Sequence, residues 1–215
     1  MIDTNKVRFD TQGCQDKIFL NSAGSSLVPT VVSESMSQYL EQERMIGGYQ
    51  TALIQQDKID EFYIQSALLL NCEPKNIAFS CNATDAYAKA LSSIHFRSGD
   101  VILTSDDDYI SNYIAFFSLK KRFGIEIVRI KNLDNGDIDL IDVEQKINAF
   151  KPILVSITHV PTNSGKIQSV EEVGDLCAKY GVWYIVDACQ SVGQIIVDVK
   201  MVEITSFINQ NYVWF

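Results

Sequence analysis

The sequence predicts an α/β fold, a three-layer sandwich with a mainly parallel sheet, preceded by an N-terminal helical arm. Two observations carry that expectation. From residue 76 onward, short apolar runs alternate with segments of helical period. Most of those runs are continuously apolar, as strands covered on both faces must be. A third observation concerns chemistry: the runs end abruptly in polar and charged residues, of which Asp187 after "VWYIV" is the clearest.

The elements follow in order. "KIFLNSAGSS" leads to Pro29, which suits the first turn of a helix because its missing N–H has no partner to lose there. That helix runs to about Met45, "GGY" (47–49) breaks it, and a second helix covers roughly Thr51 to Leu70. "NIAFS" (76–80) is a short strand and "ATDAYAKALSSI" (83–94) a helix. "VILTS" (101–105) is a strand, Tyr109 to Arg122 has helical spacing, and "IEIVRI" (125–130) alternates at period two. "DLIDVEQKINAF" (139–150) returns to the helical period and "ILVSIT" (153–158) is a buried strand. "SVEEVGDLCAKY" (169–180) opens with a capping-box pattern, Ser169 with Glu172, and "VWYIVD" (182–187) follows as a strand. No repeat or Pro/Gly-rich linker interrupts the chain. Residues 1–75 are therefore read as an arm with two helices, and 76–215 as the α/β body.

Composition narrows the function classes. The 215 residues are 47% hydrophobic and 21% charged, as in an ordinary globular protein with a sizeable core. A net charge of −9 argues against a nucleic-acid partner, whose phosphates require a basic face. No apolar run reaches membrane-spanning length, and "MIDTNKVRFDTQG" lacks the apolar core of a signal peptide. The five cysteines are scattered, without a C-x-x-C pair, which fits reduced thiols and no metal site. The expectation is a cytoplasmic protein.

Ligands of open α/β sheets bind outside the carboxyl ends of the strands. After "NIAFS" come Asn82, Ala83 and Thr84, the opening turn of a helix, whose free amides and hydroxyl suit a phosphate; Asn82 is equally well a simple N-cap. After "VILTS" come Asp106, Asp107 and Asp108, with Asp108 expected as the N-cap of the next helix. Tyr109 either points its aromatic face to the same rim or packs in the core. "HVPTNSG" (159–165) follows "ILVSIT", and His159 alone reads as a satisfied structural histidine. Asp187 and Gln190 complete the rim. A phosphate cup, an aromatic face and a carboxylate on one rim suit pyridoxal 5'-phosphate. Its ring nitrogen needs a carboxylate beside it to stay protonated and act as an electron sink.

At this point the sequence resembles the class V aminotransferases of fold type I. That group contains cysteine desulfurases, isopenicillin N epimerase and ergothioneine C–S lyase-like proteins. The resemblance runs from about Lys17 to Met201 on "NSAG" with Pro29, "GGY", "NATDA", "THVPTNSG" and "DACQSVGQ". It implies a PLP-dependent enzyme acting on an amino acid through aldimine chemistry, as a homodimer at full length. Transamination, C–S lysis and desulfuration remain open. Residue by residue, it implies Asn82, Ala83 and Thr84 at the phosphate and Tyr109 stacked on the ring. Asp187 falls at the ring nitrogen, with Gln190 and Thr162 at the phenolic oxygen. Asn163 is an alternative to Thr162.

The resemblance breaks after Asp187. The family's Schiff-base lysine would fall near Val213, where this chain reads "EITSFINQNYVWF". Lys200 is the only later lysine and lies where the family has no catalytic residue. The expectation is therefore a C-terminally truncated chain that lacks the small domain, has no catalytic residue of its own and is inactive by itself. The alternative is a non-catalytic remnant or a PLP- or partner-binding module. A nucleotide-binding α/β protein is disfavoured, since neither G-x-G-x-x-G nor a P-loop occurs. One strand of the sheet is expected from "EITSFI" (203–208). No sequence is expected to fill the gap beside "NIAFS", leaving the phosphate cup adrift and the chain poorly soluble, molten or in need of a partner subunit to cover the gap.

Overall fold

The computed structural model describes residues 2–202, 206–209 and 212–214. The chain divides into two compact units, Met1–Phe62 and Tyr63–Phe215. The first is helical: α1 (Thr4–Asp10), α2 (Thr30–Ile46), α3 (Gly48–Ile54) and the start of α4 (Gln56–Leu70). Asp3 caps α1 by accepting from the Asn5 and Lys6 amides. Pro29 sits at the N-cap of α2, one position earlier than expected. The single helix expected over 51–70 is two helices, because Gln55 leaves helical geometry at the end of α3.

The second unit carries the sheet. Its strands are β1 (Ile77–Phe79), β2 (Val101–Ser105), β3 (Glu126–Ile130), β4 (Leu154–Thr158), β5 (Trp183–Asp187), β6 (Ser206–Asn209) and β7 (Tyr212–Trp214). They lie in the order β1-β7-β6-β5-β4-β2-β3. The pairs β2–β3, β2–β4, β4–β5 and β5–β6 are parallel, and β7 is antiparallel to both neighbours. Strands β1 to β6 therefore all point the same way, and their carboxyl ends share one rim. The gap expected beside β1 is filled: β7 pairs with β1 from Ile77↔Trp214 to Phe79↔Tyr212. A short reversal after β6 supplies a strand that the parallel pattern did not suggest. The argument for a molten chain thereby loses its premise. Of the stretch 203–208, residues 206–208 are in β6 and 203–205 lie outside the described residues.

The connecting helices are α5 (Ala83–Ser92), α6 (Ile110–Phe123), α7 (Leu140–Phe150) and α8 (Val170–Tyr180). Right-handed crossovers put α5 and α6 on one face and α7 and α8 on the other; the pairs α5–α6 and α7–α8 pack together accordingly. Gly124 and Gly181 end α6 and α8 in left-handed geometry that a side chain would strain. Ile102, Leu154 and Ile185 form a core beneath α5 and α6 with Tyr87, Leu91 and Phe116. Along that same face the next positions toward the rim turn polar: Thr104, Ser156, Thr158 and Asp187, all buried. The alternate residues Leu103, Val155, Ile157 and Val186 stay apolar on the other face. At the ligand rim the face under α5 and α6 thus turns polar in β2, β4 and β5, while the other face of these strands turns polar at Ser105 of β2.

Candidate active site

The chain order reverses between β2 and β4, which places the topological switch point, and hence the crevice, at their carboxyl ends. Asp108 bridges it. Its Oδ1 accepts from Thr158 Oγ1 at 2.6 Å, the Tyr109 amide at 2.8 Å and Asn112 Nδ2 at 2.9 Å. Its Oδ2 accepts from Thr104 Oγ1 at 2.6 Å. Burial pushes the Asp108 carboxyl above its usual range. The bonds from Thr104, Thr158 and Asn112 pull against that, and the nearby Asp187 charge adds to it. Asp108 is not the N-cap of α6. That position is Tyr109, and the carboxylate turns inward to the strand hydroxyls instead.

Asp187 closes β5, buried, beside Thr158 of β4. Its Oδ2 accepts from Asn112 Nδ2 at 3.0 Å and its Oδ1 from the Cys189 amide at 3.1 Å. The Cys189 thiol is held strongly in its protonated form by burial first, then by the Asp187 charge and a hydrogen bond to it. The Asp187 carbonyl accepts from the His159 amide at 2.8 Å, which fixes the next loop against the strand end. His159 is buried, its pKa lowered by burial, and its Nδ1 has no hydrogen-bond partner among the described residues. Further under the same face, the buried Tyr87 hydroxyl bonds Ser156 Oγ.

At the start of α5, Asn82 is the N-cap, and its side chain accepts from the Asp85 amide at 2.9 Å. Asp85 turns back to accept from the Cys81 amide at 3.3 Å and Lys89 Nζ at 2.7 Å. Both readings of Asn82 are compatible with this cap. It satisfies the Asp85 amide and leaves those of Ala83 and Thr84, the first two of the helix, outside the intrahelical ladder. Tyr109 is half-exposed at the rim rather than packed in the core. Thr162 and Asn163 are exposed in the loop after β4, and Gln190 is half-buried in the turn after β5. The structure therefore gathers Asp187, Tyr109 and the Asp108 group around β2, β4 and β5. Asn82 to Thr84 lie on the same rim at β1. Ser169 holds the N-cap position of α8 without a side-chain bond, so the capping-box pattern marks the helix start but not the contact.

Asn112, Thr104 and Thr158 escaped the sequence reading. The signal was present: hydroxyl residues at same-face positions of otherwise apolar strands, and a polar residue four after Asp108 on a helix.

The class V aminotransferase model matches residues 18–208. The chain belongs to that family. It is 34% identical over 199 residues to a probable cysteine desulfurase of Pyrococcus abyssi, covering 90% of this chain and 49% of that protein. Against the cysteine desulfurase IscS of Vibrio cholerae it is 30% identical, covering 87% of this chain and 48% of the relative. The chain spans about half the length of these relatives. Among solved structures, the apo cysteine desulfurase of Thermococcus onnurineus NA1 superposes with a TM-score of 0.87 at 25% identity, over 100% of this chain and 57% of that one. A C-DES mutant with glycine covalently linked to its PLP cofactor shares the fold, with a TM-score of 0.88 at 19% identity over 97% of this chain and 59% of that one. Members of this family use pyridoxal 5'-phosphate.

Proposed function

We propose that this chain is the cofactor-binding part of a pyridoxal-phosphate enzyme acting on an amino acid, with cysteine, named by its relatives, as the leading substrate class. The supporting observation is Asp187, a buried carboxylate at the end of a rigid strand whose two N–H donors among the described residues leave acceptor capacity unspent. Such a group suits a protonated ring nitrogen. Pyridoxal phosphate supplies an electron sink for bonds at the substrate's α-carbon. In this reading the Ala83 and Thr84 amides, with Asn82 holding the turn, take the phosphate. Tyr109 lays its ring on the cofactor face, and Thr162 and Gln190 serve the phenolic oxygen. The reading extends to a cytoplasmic location and to a homodimer in the full-length enzyme.

For the chain alone, the proposal is binding without turnover. Lys200 is the only lysine beyond Asp187. Its Nζ lies 3.4 Å from Asn71 Oδ1, and its amide donates to Asp198. This favours a non-catalytic, cofactor-binding module as the state of this polypeptide. The test is to mix the purified chain with pyridoxal phosphate, reduce with borohydride and map lysine adducts by mass spectrometry. Saturable binding that dialysis reverses, with no stoichiometric adduct after reduction, is expected. A single lysine modified in full would overturn the non-covalent reading, and no saturable binding would overturn the cofactor itself.

A further inference from the structure

We propose that Asn112 and Asp108 are positioning residues for Asp187: one amide nitrogen ties the ligand-facing carboxylate to a second carboxylate that is anchored by hydrogen bonds across the switch point. This deepens the cofactor reading above and rests on it.

The geometry assigns different tasks to the two acids. A carboxylate offers about four acceptor sites. Asp108 receives four donors, from Thr104 on β2, Thr158 on β4, and the Tyr109 amide and Asn112 side chain at α6. Three of them fall on Oδ1 and one on Oδ2, so both oxygens are engaged within the protein. Among the described residues, Asp187 receives two N–H donors and the weak Cys189 thiol. It is the acid with room for a further partner.

Asn112 links the two. Its Nδ2 carries two hydrogens, and both are committed, one to each carboxylate, at 2.9 and 3.0 Å. A flipped amide would aim its carbonyl oxygen at both acids, so the orientation is fixed by charge. With Asn112 on Oδ2 and the Cys189 amide on Oδ1, the Asp187 carboxylate plane is held from both ends. The anchor is stiff because Asp108 is bonded to two neighbouring strands and to the start of the helix carrying Asn112. Asn112 is itself buried, 2% exposed.

The experiment uses the 215-residue chain, Asn112→Ala, Asp187→Asn and their double variant. Without cofactor, hydrogen exchange at the Cys189 amide is read by NMR. Asn112→Ala should speed it about tenfold or more as Asp187 is released. Exchange within about twofold of wild type would overturn the strut, whether or not the cofactor binds. With cofactor, affinities are measured for pyridoxal phosphate and for its 1-deaza analogue, which lacks the ring nitrogen. Asn112→Ala should cut the preference for the true cofactor about tenfold, leave the analogue within about twofold, and add nothing in the Asp187→Asn background. An equal loss for both ligands, or independent losses in the double variant, would show a merely structural role and overturn the proposal. A wild-type chain with no preference for the ring nitrogen would instead overturn the cofactor reading, and the exchange result alone would decide the strut.

Discussion

Thr158 shows how narrow the margin is at a single residue. Its hydroxyl is one of four donors to Asp108 and sits in a buried strand end that solvent does not reach. Thr158→Val keeps the β-branched shape and deletes only that donor, removing a hydrogen bond to a buried carboxylate that retains the Tyr109 amide and Asn112 on the same oxygen. A loss of about 1–3 kcal/mol is expected, read by urea denaturation at pH 7. Thr162→Val, in the exposed loop four residues on, should stay within about 0.5 kcal/mol. Equal effects at the two positions would contradict the network. The same scale shows what sequence could and could not reveal. Asp187 was readable because a carboxylate at the end of "VWYIV" is locally anomalous. Asp108 was misread as a cap because the pairing of β2 with β4, which brings Thr104 and Thr158 to it together, is not written in neighbouring residues. His159 was read as a satisfied structural histidine; it is buried, yet its Nδ1 lacks a partner among the described residues.

At the scale of elements, α8 must lie unusually close to the chain that leaves β5. Gly174, in the middle of α8, marks the contact: a Cβ there would collide with the Val202 carbonyl oxygen and lie 3.5 Å from the Tyr184 ring. Helix propensity alone would favour alanine by about 1 kcal/mol. The collision is with backbone, which yields poorly, so Gly174→Ala should destabilise by about 1–3 kcal/mol in a chemical melt. A stabilised variant would mean that the segment near Val202 sits elsewhere. Strands and helices from residue 76 to 187 were legible because each apolar run and each helical period is local. The break at Gln55 and the strand at Tyr212–Trp214 were not. A three-residue strand has too few positions to show a period, and its existence depends on pairing with β1 and β6, far away in sequence.

For the whole molecule, the parallel order of the sheet does the arranging. It brings the ends of β2, β4 and β5 together at a reversal of chain order, and the face that carries Thr104, Ser156 and Thr158 there also carries Asp187. Family membership was legible from motif order alone. The central claim is that this rim presents Asp187 as the charge partner of a protonated pyridine nitrogen. The most direct test is the 15N NMR shift of ring-labelled pyridoxal phosphate bound to the chain. The account predicts a protonated, hydrogen-bonded ring nitrogen in the wild type and a neutral one in Asp187→Asn. A neutral nitrogen in the wild type, or the same shift in both proteins, would contradict it.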